Sequence, residues 1–268
     1  MVTDDIRGYT VRDGRDALQG TCTGVIPPIA ATATDLTLTE CDAQDAIDMV
    51  HGSRWDALTR DFWWRGVTMS RTRYNGSQRQ MCLCCEAAPS SFLHTVTDCA
   101  VWGMLWRWAQ TMSAWVGKPL PATTRRPEWF AFGAGIRNAA ETAWSPAHDV
   151  AVTIWGAALY AVRVVTANLL RDCTPARPLV AVRIAQARIR RAAATELWWV
   201  RNRDAWIRDG GNDARSAPGT AAAWAAKWSR LLRLRRASSH PEGFDLAPGS
   251  PLTPGWPRVD AADRQTGG

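Results

Sequence analysis

Three cysteines fall within residues 82–85, and His94 and Cys99 follow in the run CLCCEAAPSSFLHTVTDC. Thiolate sulfur and imidazole nitrogen are donors that zinc accepts, and two intervening residues make a tight knuckle that brings two sulfurs to one ion. The best ligand set is Cys82, Cys85, His94 and Cys99, spaced C-x2-C-x8-H-x4-C. Cys₃His is an ordinary structural zinc set, and four protein ligands leave no position for water. The spacing therefore predicts structural rather than catalytic zinc, with the four ligand atoms within about 4 Å of one another. Each thiolate must lose its proton, so binding depends on pH and contributes to local folding. Cys84 could replace Cys85 only through a C-x-C bite, so its side chain is expected to point away.

Other chemistries fit less well. A Cys82–Cys85 redox pair would call for a βαβ context, which the sequence lacks. A reactive thiol needs a base and an orienting partner, and none is identifiable. Inert, clustered thiols are the remaining alternative. Cys22, Cys41 and Cys173 lack ligand-like spacing and read as structural. His51, His148 and His240 are isolated and read as ordinary surface or core histidines.

The elements that must hold these residues read as helices. From about Arg54 to Arg73, Trp55, Leu58, Phe62 and Trp63 recur at helical spacing until Asn75-Gly76. Thr97 or Asp98 is suited to cap a helix that Cys99 opens, with Val101, Leu105, Trp108, Met112 and Trp115 on one face. Gly117 and Pro119 end it. An apolar helix over 150–170 stops near Pro175 and Pro178, and a long helix runs from Leu179 to about Arg208. Trp102, Trp106, Trp108, Trp115, Trp155 and Trp198 lie in apolar-rich helices and read as core. In each adjacent pair, Trp63-Trp64 and Trp198-Trp199, one ring must face away from the other.

Strand signals are scarce, so the fold class is all-α: a helical domain with a small CCHC zinc knuckle and disordered termini. Six segments follow. Residues 1–40 are a disordered or extended acidic lead, and Asp42 with Asp45 begins a domain over 42–116 that contains the knuckle at 82–99. A helical C-terminal region occupies 117–208, and a flexible linker 209–219. Residues 220–236 form a basic amphipathic helix with Trp224, Trp228 and Leu231 on one side; 237–268 is a Pro/Gly/Ser-rich disordered tail.

Charge points to a polyanion. Residues 1–48 hold nine acids against three bases, which leaves +13 on the rest of a chain of net charge +7. The basic residues concentrate at Arg183, Arg188, Arg190, Arg191, Arg201, Arg203 and Arg208, then Lys227, Arg230, Arg233, Arg235 and Arg236. They are expected to meet an RNA or DNA backbone, giving salt-sensitive and sequence-independent affinity. No membrane partner is expected, because Arg163 in the middle of 150–170 costs about 2.5–3.5 kcal/mol on insertion scales. The polar N-terminal residues lack the apolar stretch of a signal peptide, and reduced thiols suit an intracellular setting.

Three stretches together carry a family resemblance: DFWWRGVTMSRTR (61–73), the Cys/His run, and CAVWGMLW (99–106). They resemble the reverse transcriptase zinc-binding domain of non-LTR (LINE-type) retrotransposon polyproteins. That family has an FWWR-like helix, a linker ending in C-P-L-C, a histidine in an H-L-F context, and a cysteine that opens a helix with a tryptophan. Cys82, Cys85, His94 and Cys99 match its ligands, and Trp102 its tryptophan. The chain departs in placing Cys84 inside the knuckle and Thr95-Val96 after His94. The resemblance covers about residues 54–108; residues 149–203 are similar to the tails that follow such domains. It implies a C-terminal polyprotein fragment that binds nucleic acid beside a reverse transcriptase domain. No Tyr/Phe-x-Asp-Asp polymerase signature is present, nor a carboxylate constellation for an endonuclease or RNase H, so the chain does not read as an enzyme. The alternative function is a metal-free helical scaffold that binds protein, or a non-functional retroelement remnant.

Overall fold

The computed structural model describes residues 46–50, 55–67, 81–86, 92–120, 145–202, 220–234 and 244–252. Residues 46–50 are helical. Then come α1 (Ala57–Val67), α2 (Phe92–Thr97), α3 (Gly103–Trp115), α4 (Pro146–Asp172), α5 (Pro178–Arg201) and α6 (Ala221–Trp228). Two short strands follow, β1 (Leu232–Leu234) and β2 (Phe244–Leu246). The acidic lead at 1–40, the Asp42/Asp45 helix start, Asn75-Gly76 and the linker at 209–219 lie outside the described residues. So do Cys22, Cys41, His51, His240, Arg203, Arg208, Arg235 and Arg236.

Helix α4 is the element around which the others pack. Val150, Ile154, Trp155, Ala158, Leu159 and Val162 are buried and span about half the circumference of the helix, and buried Val152 and Gly156 widen that face further. An apolar face this wide must be covered by several neighbours. Length and composition alone would let α4 cross a membrane, but 67% of its most apolar window is buried inside the protein. Its start is fixed locally. Pro146 takes the first turn, where its missing N–H costs nothing, and the Ser145 amide donates to His148 Nδ1 at 3.0 Å. His148 is thus a core histidine, as expected, and it also caps the helix. Cys173 closes the helix in the left-handed region, φ +50°, before Pro175 and Pro178.

Two glycines let aromatic rings approach backbone. A Cβ on Gly156 would lie 2.1 Å from Trp55 Nε1. The space is filled instead by the Trp55 indole, which donates to Val152 O at 3.0 Å and ties the segment before α1 to α4. Gly66 does the same for the Phe92 ring, so α1 sets where α2 begins.

Helix α5 folds back on α4 through the connection at 173–177 and buries Val182, Ala185, Ile189, Ala193 and Leu197 at three- and four-residue steps. It ends at Arg201, short of the expected Arg208. Helix α6 lays Trp224 and Trp228 across α5, and Trp224 Nε1 donates to Ala193 O at 3.0 Å.

Three expectations need correction here. The basic helix over 220–236 stops at Trp228, and Leu232–Leu234 forms a strand antiparallel to Phe244–Leu246. The cause is tertiary: Phe244 packs on Trp224 at 5.7 Å between ring centroids, and Ala247 donates to Leu231 O, so the ladder outweighs helix propensity. Correspondingly, residues 244–252 of the tail expected to be disordered are placed, with Phe244, Ser250 and Leu252 buried. Gln186 Nε2 donates to Pro251 O at 3.1 Å and the Arg190 guanidinium to Leu252 O at 2.6 Å, which straps this segment to α5. Third, the Trp-rich helix does not begin at Thr97 or Asp98. It begins at Gly103, and the Thr97 hydroxyl instead donates back to Leu93 O within α2. The expected stop at Gly117 is observed, with φ +86°.

Candidate metal centre

Cys82, Cys85, His94 and Cys99 converge, with one ligand atom from each within 4.8 Å of the others. Local backbone geometry produces this. At the knuckle, the Glu86 amide donates to Cys82 O at 2.9 Å and closes a turn that returns Cys85 to Cys82. Glu86 adopts φ +55°, a left-handed position unusual for a residue with a Cβ. At the other end, His94 sits on α2. Both the Asp98 and Cys99 amides donate to His94 O, at 3.0 and 2.9 Å. That wide turn is the physical content of the H-x4-C spacing: it folds Cys99 back beside the imidazole of the helix that precedes it. Cys99 therefore lies between α2 and α3 rather than opening α3. The two helices are joined above it by Trp106, whose indole donates to Thr95 O at 3.1 Å.

The site is enclosed. Cys82 and Cys99 are 4% and 2% exposed, and His94 is 9% exposed. Cys85 Sγ lies 3.2 Å from His94 Nε2. Sulfurs about 2.3 Å from a tetrahedral centre stand about 3.8 Å apart, so the widest separation of 4.8 Å exceeds a closed site by about 1 Å. Burial pushes the Cys99 thiol up to about 12; the Val101 backbone lowers it, and Cys82 and Cys85 beside it raise it. A buried thiol such as Cys99 keeps its proton unless a cation offsets the thiolate charge. The donor set can hold a metal ion.

Cys84 is outside the converging set. It packs half-buried against the core, and burial followed by the Cys82 charge pushes its thiol up to about 11, with Thr166 of α4 opposing. Cys173 is exposed and remote from the cluster in sequence.

The basic residues divide into two groups. Arg188 pairs with Asp56 and lies over the Tyr160 ring, 4.8 Å from its centroid. Arg190 holds Leu252 O, as described above. Lys227 is bound between Asp149 at 3.1 Å and Glu196 at 3.2 Å, with its side chain only 12% exposed. Arg230 donates to Trp115 O at 3.0 Å while the Trp115 indole donates to Arg230 O at 3.1 Å. These four are taken up by the fold. Arg183, Arg191 and Arg201 are exposed on α5, with no ion pair among the described residues, and Arg233 is exposed on β1 opposite Asp245.

The tryptophans divide too. Trp102, Trp106, Trp108 and Trp155 are core, as are Trp63, Trp224 and Trp228. Trp115 and Trp198 correct the expectation of burial: they are 44% and 53% exposed. Trp115 caps the end of α3 against Arg230, and Trp198 stands edge-on to Trp199 at 4.6 Å between ring centroids. Periodicity assigned both to helices correctly but carried no information about which face was covered.

No protein-family model, curated protein or solved structure matches the chain.

Proposed function

We propose that the chain is a non-catalytic, zinc-binding helical module that contacts nucleic acid, of the kind its resemblance to retrotransposon reverse transcriptase zinc-binding domains implies. The observation that carries this reading is the convergence of Cys82, Cys85, His94 and Cys99 on one enclosed point. Three thiolates and one imidazole in a closed set suit zinc, which has no geometric demand beyond four donors. The same four donors leave no open coordination position, so the ion organises structure: it joins the knuckle, α2 and the turn before α3. The exposed arginines supply the phosphate contacts in this reading.

Purification under reducing conditions followed by metal mass spectrometry tests the first half. About one zinc per chain is expected for a closed four-donor site, falling sharply in Cys85→Ser. A stoichiometry near zero that Cys85→Ser leaves unchanged overturns it. Binding of single-stranded RNA measured against salt tests the second half. Affinity that is absent at low salt, or indifferent to salt, removes the phosphate contacts.

A further inference from the structure

The outward face of α5 carries an arrangement that sequence alone hid. At 3.6 residues per turn, Val180, Arg183, Arg191, Trp198 and Arg201 fall within an arc of about 80°. All five are exposed. The opposite arc, through Val182, Ala185, Ile189 and Ala193, is buried against the body of the protein. The helix carries a single acid, Glu196, and that carboxylate faces inward, bound to Lys227 and to the Trp228 indole at 3.1 Å. The outward face therefore presents cations and an aromatic ring with no acid among them.

Spacing adds to this. At about 1.5 Å per residue, Arg183 and Arg191 stand about 12 Å apart along the axis, and Arg201 about 15 Å further on. Trp198 lies between the last two. Its ring is braced edge-on by Trp199, so the exposed indole is held rather than freely rotating. Arginines bind phosphates without regard to sequence, and an exposed indole stacks on the face of an unpaired base. A duplex hides its base faces; a single strand offers them.

Resting on the reading of this chain as a nucleic-acid-binding module, we propose that the outward face of α5 is a track for single-stranded nucleic acid. Arg183, Arg191 and Arg201 hold successive parts of the backbone, and Trp198 stacks on one base. The face is continuous and unobstructed among the described residues. By contrast, Arg188, Arg190 and Lys227 sit on the covered sides and take no part.

The test uses the purified full chain with zinc and fluorescence anisotropy of a labelled oligouridylate of about ten nucleotides, with titrations at several salt concentrations. Trp198→Ala is expected to weaken binding at least about five-fold, with the slope of log affinity against log salt unchanged. Arg191→Gln is expected to weaken it with a slope shallower by about 0.7. Lys227→Gln is the control for a cation held by the fold, and circular dichroism checks that each variant folds. Three outcomes overturn the proposal. If the wild-type chain does not bind at low salt, the nucleic-acid reading and the track fail together. If the wild-type binds but Trp198→Ala and Arg191→Gln bind as tightly, the track fails while the wider reading stands. If Trp198→Ala instead weakens binding to anionic phospholipid vesicles and leaves the oligonucleotide unaffected, the face belongs to a membrane surface.

Discussion

The knuckle and the α5–α6 block are built by opposite means. In the knuckle, chemistry-bearing side chains are brought together over short sequence distances by backbone turns: Glu86 onto Cys82, and Cys99 onto His94. In the α5–α6 block, charged side chains are distributed by long-range packing. Lys227 reaches Asp149 and Glu196, Arg188 reaches Asp56, and Arg190 reaches Leu252. A ligand set can thus be read from spacing, because the spacing is the turn. A basic surface cannot, because whether an arginine is free depends on acids and carbonyls many residues away.

Chelating the metal should separate the two regions most strongly. In zinc-finger peptides, apparent binding free energies of about 10–16 kcal/mol are also folding free energy. If the knuckle depends on an ion, hydrogen exchange with chelator present should show amides of 82–99 losing protection while those of α4 and α5 keep theirs. Uniform behaviour of both regions would mean that the knuckle is held by packing alone.

A smaller effect is expected where the segment before α1 meets α4. Gly156→Ala drives a methyl into the Trp55 indole and displaces its hydrogen bond to Val152 O. Overpacking of this kind costs about 1–3 kcal/mol, readable by urea denaturation. The metal content should not change, because the atoms nearest that position belong to Trp55.

Glu196→Gln tests the other side. It leaves Lys227 with Asp149 alone, and a lost hydrogen bond to a charged group costs about 1.5–3 kcal/mol at most, less here because Asp149 remains. Stability should fall while the salt dependence of oligonucleotide binding holds. A steeper slope would show that Lys227, released, had become available to phosphate.

The smallest effect is in acid. Burial raises the Asp56 carboxyl, but hydrogen bonds from the Thr59 backbone and hydroxyl and the charge of Arg188 outweigh it and hold the group below its ordinary value. Its folded value is depressed, so its contribution is complete above the ordinary carboxylate range and is lost as pH falls through the folded value. The stability difference between wild type and Asp56→Asn should therefore be largest near neutrality and close up below about pH 4. A difference that persists unchanged in acid would show that the carboxylate charge is not what matters.

Much of the fold was legible for physical reasons that can be named. The apolar stripes of α3, α4 and α5 follow from three- and four-residue spacing, and Gly117, Pro175 and Pro178 mark their ends. What was not legible depends on distant partners. Helix α2 is six residues long and has no period to detect. The strand Leu232–Leu234 exists because Phe244–Leu246 lies beside it. Trp198 has the same local pattern as a core tryptophan, and it is exposed because no element among the described residues covers it. In the knuckle the ligand spacing was readable, but the packing of Cys84 against the core was not.

The strap formed by residues 244–252 has a consequence for how the chain is made. Gln186 and Arg190 wait for Pro251 and Leu252, more than sixty residues later. During synthesis the α4–α5 hairpin leaves the ribosome with that side uncovered, and domains fold as their segments emerge. The hairpin and the knuckle can form first; the last layer closes only once residues 244–252 have emerged. A message cut short before residue 244 would yield chains that carry the metal ligands and the arginine face but leave the Trp224 side of α6 without Phe244. Such chains would be candidates for chaperone capture rather than for a folded pool.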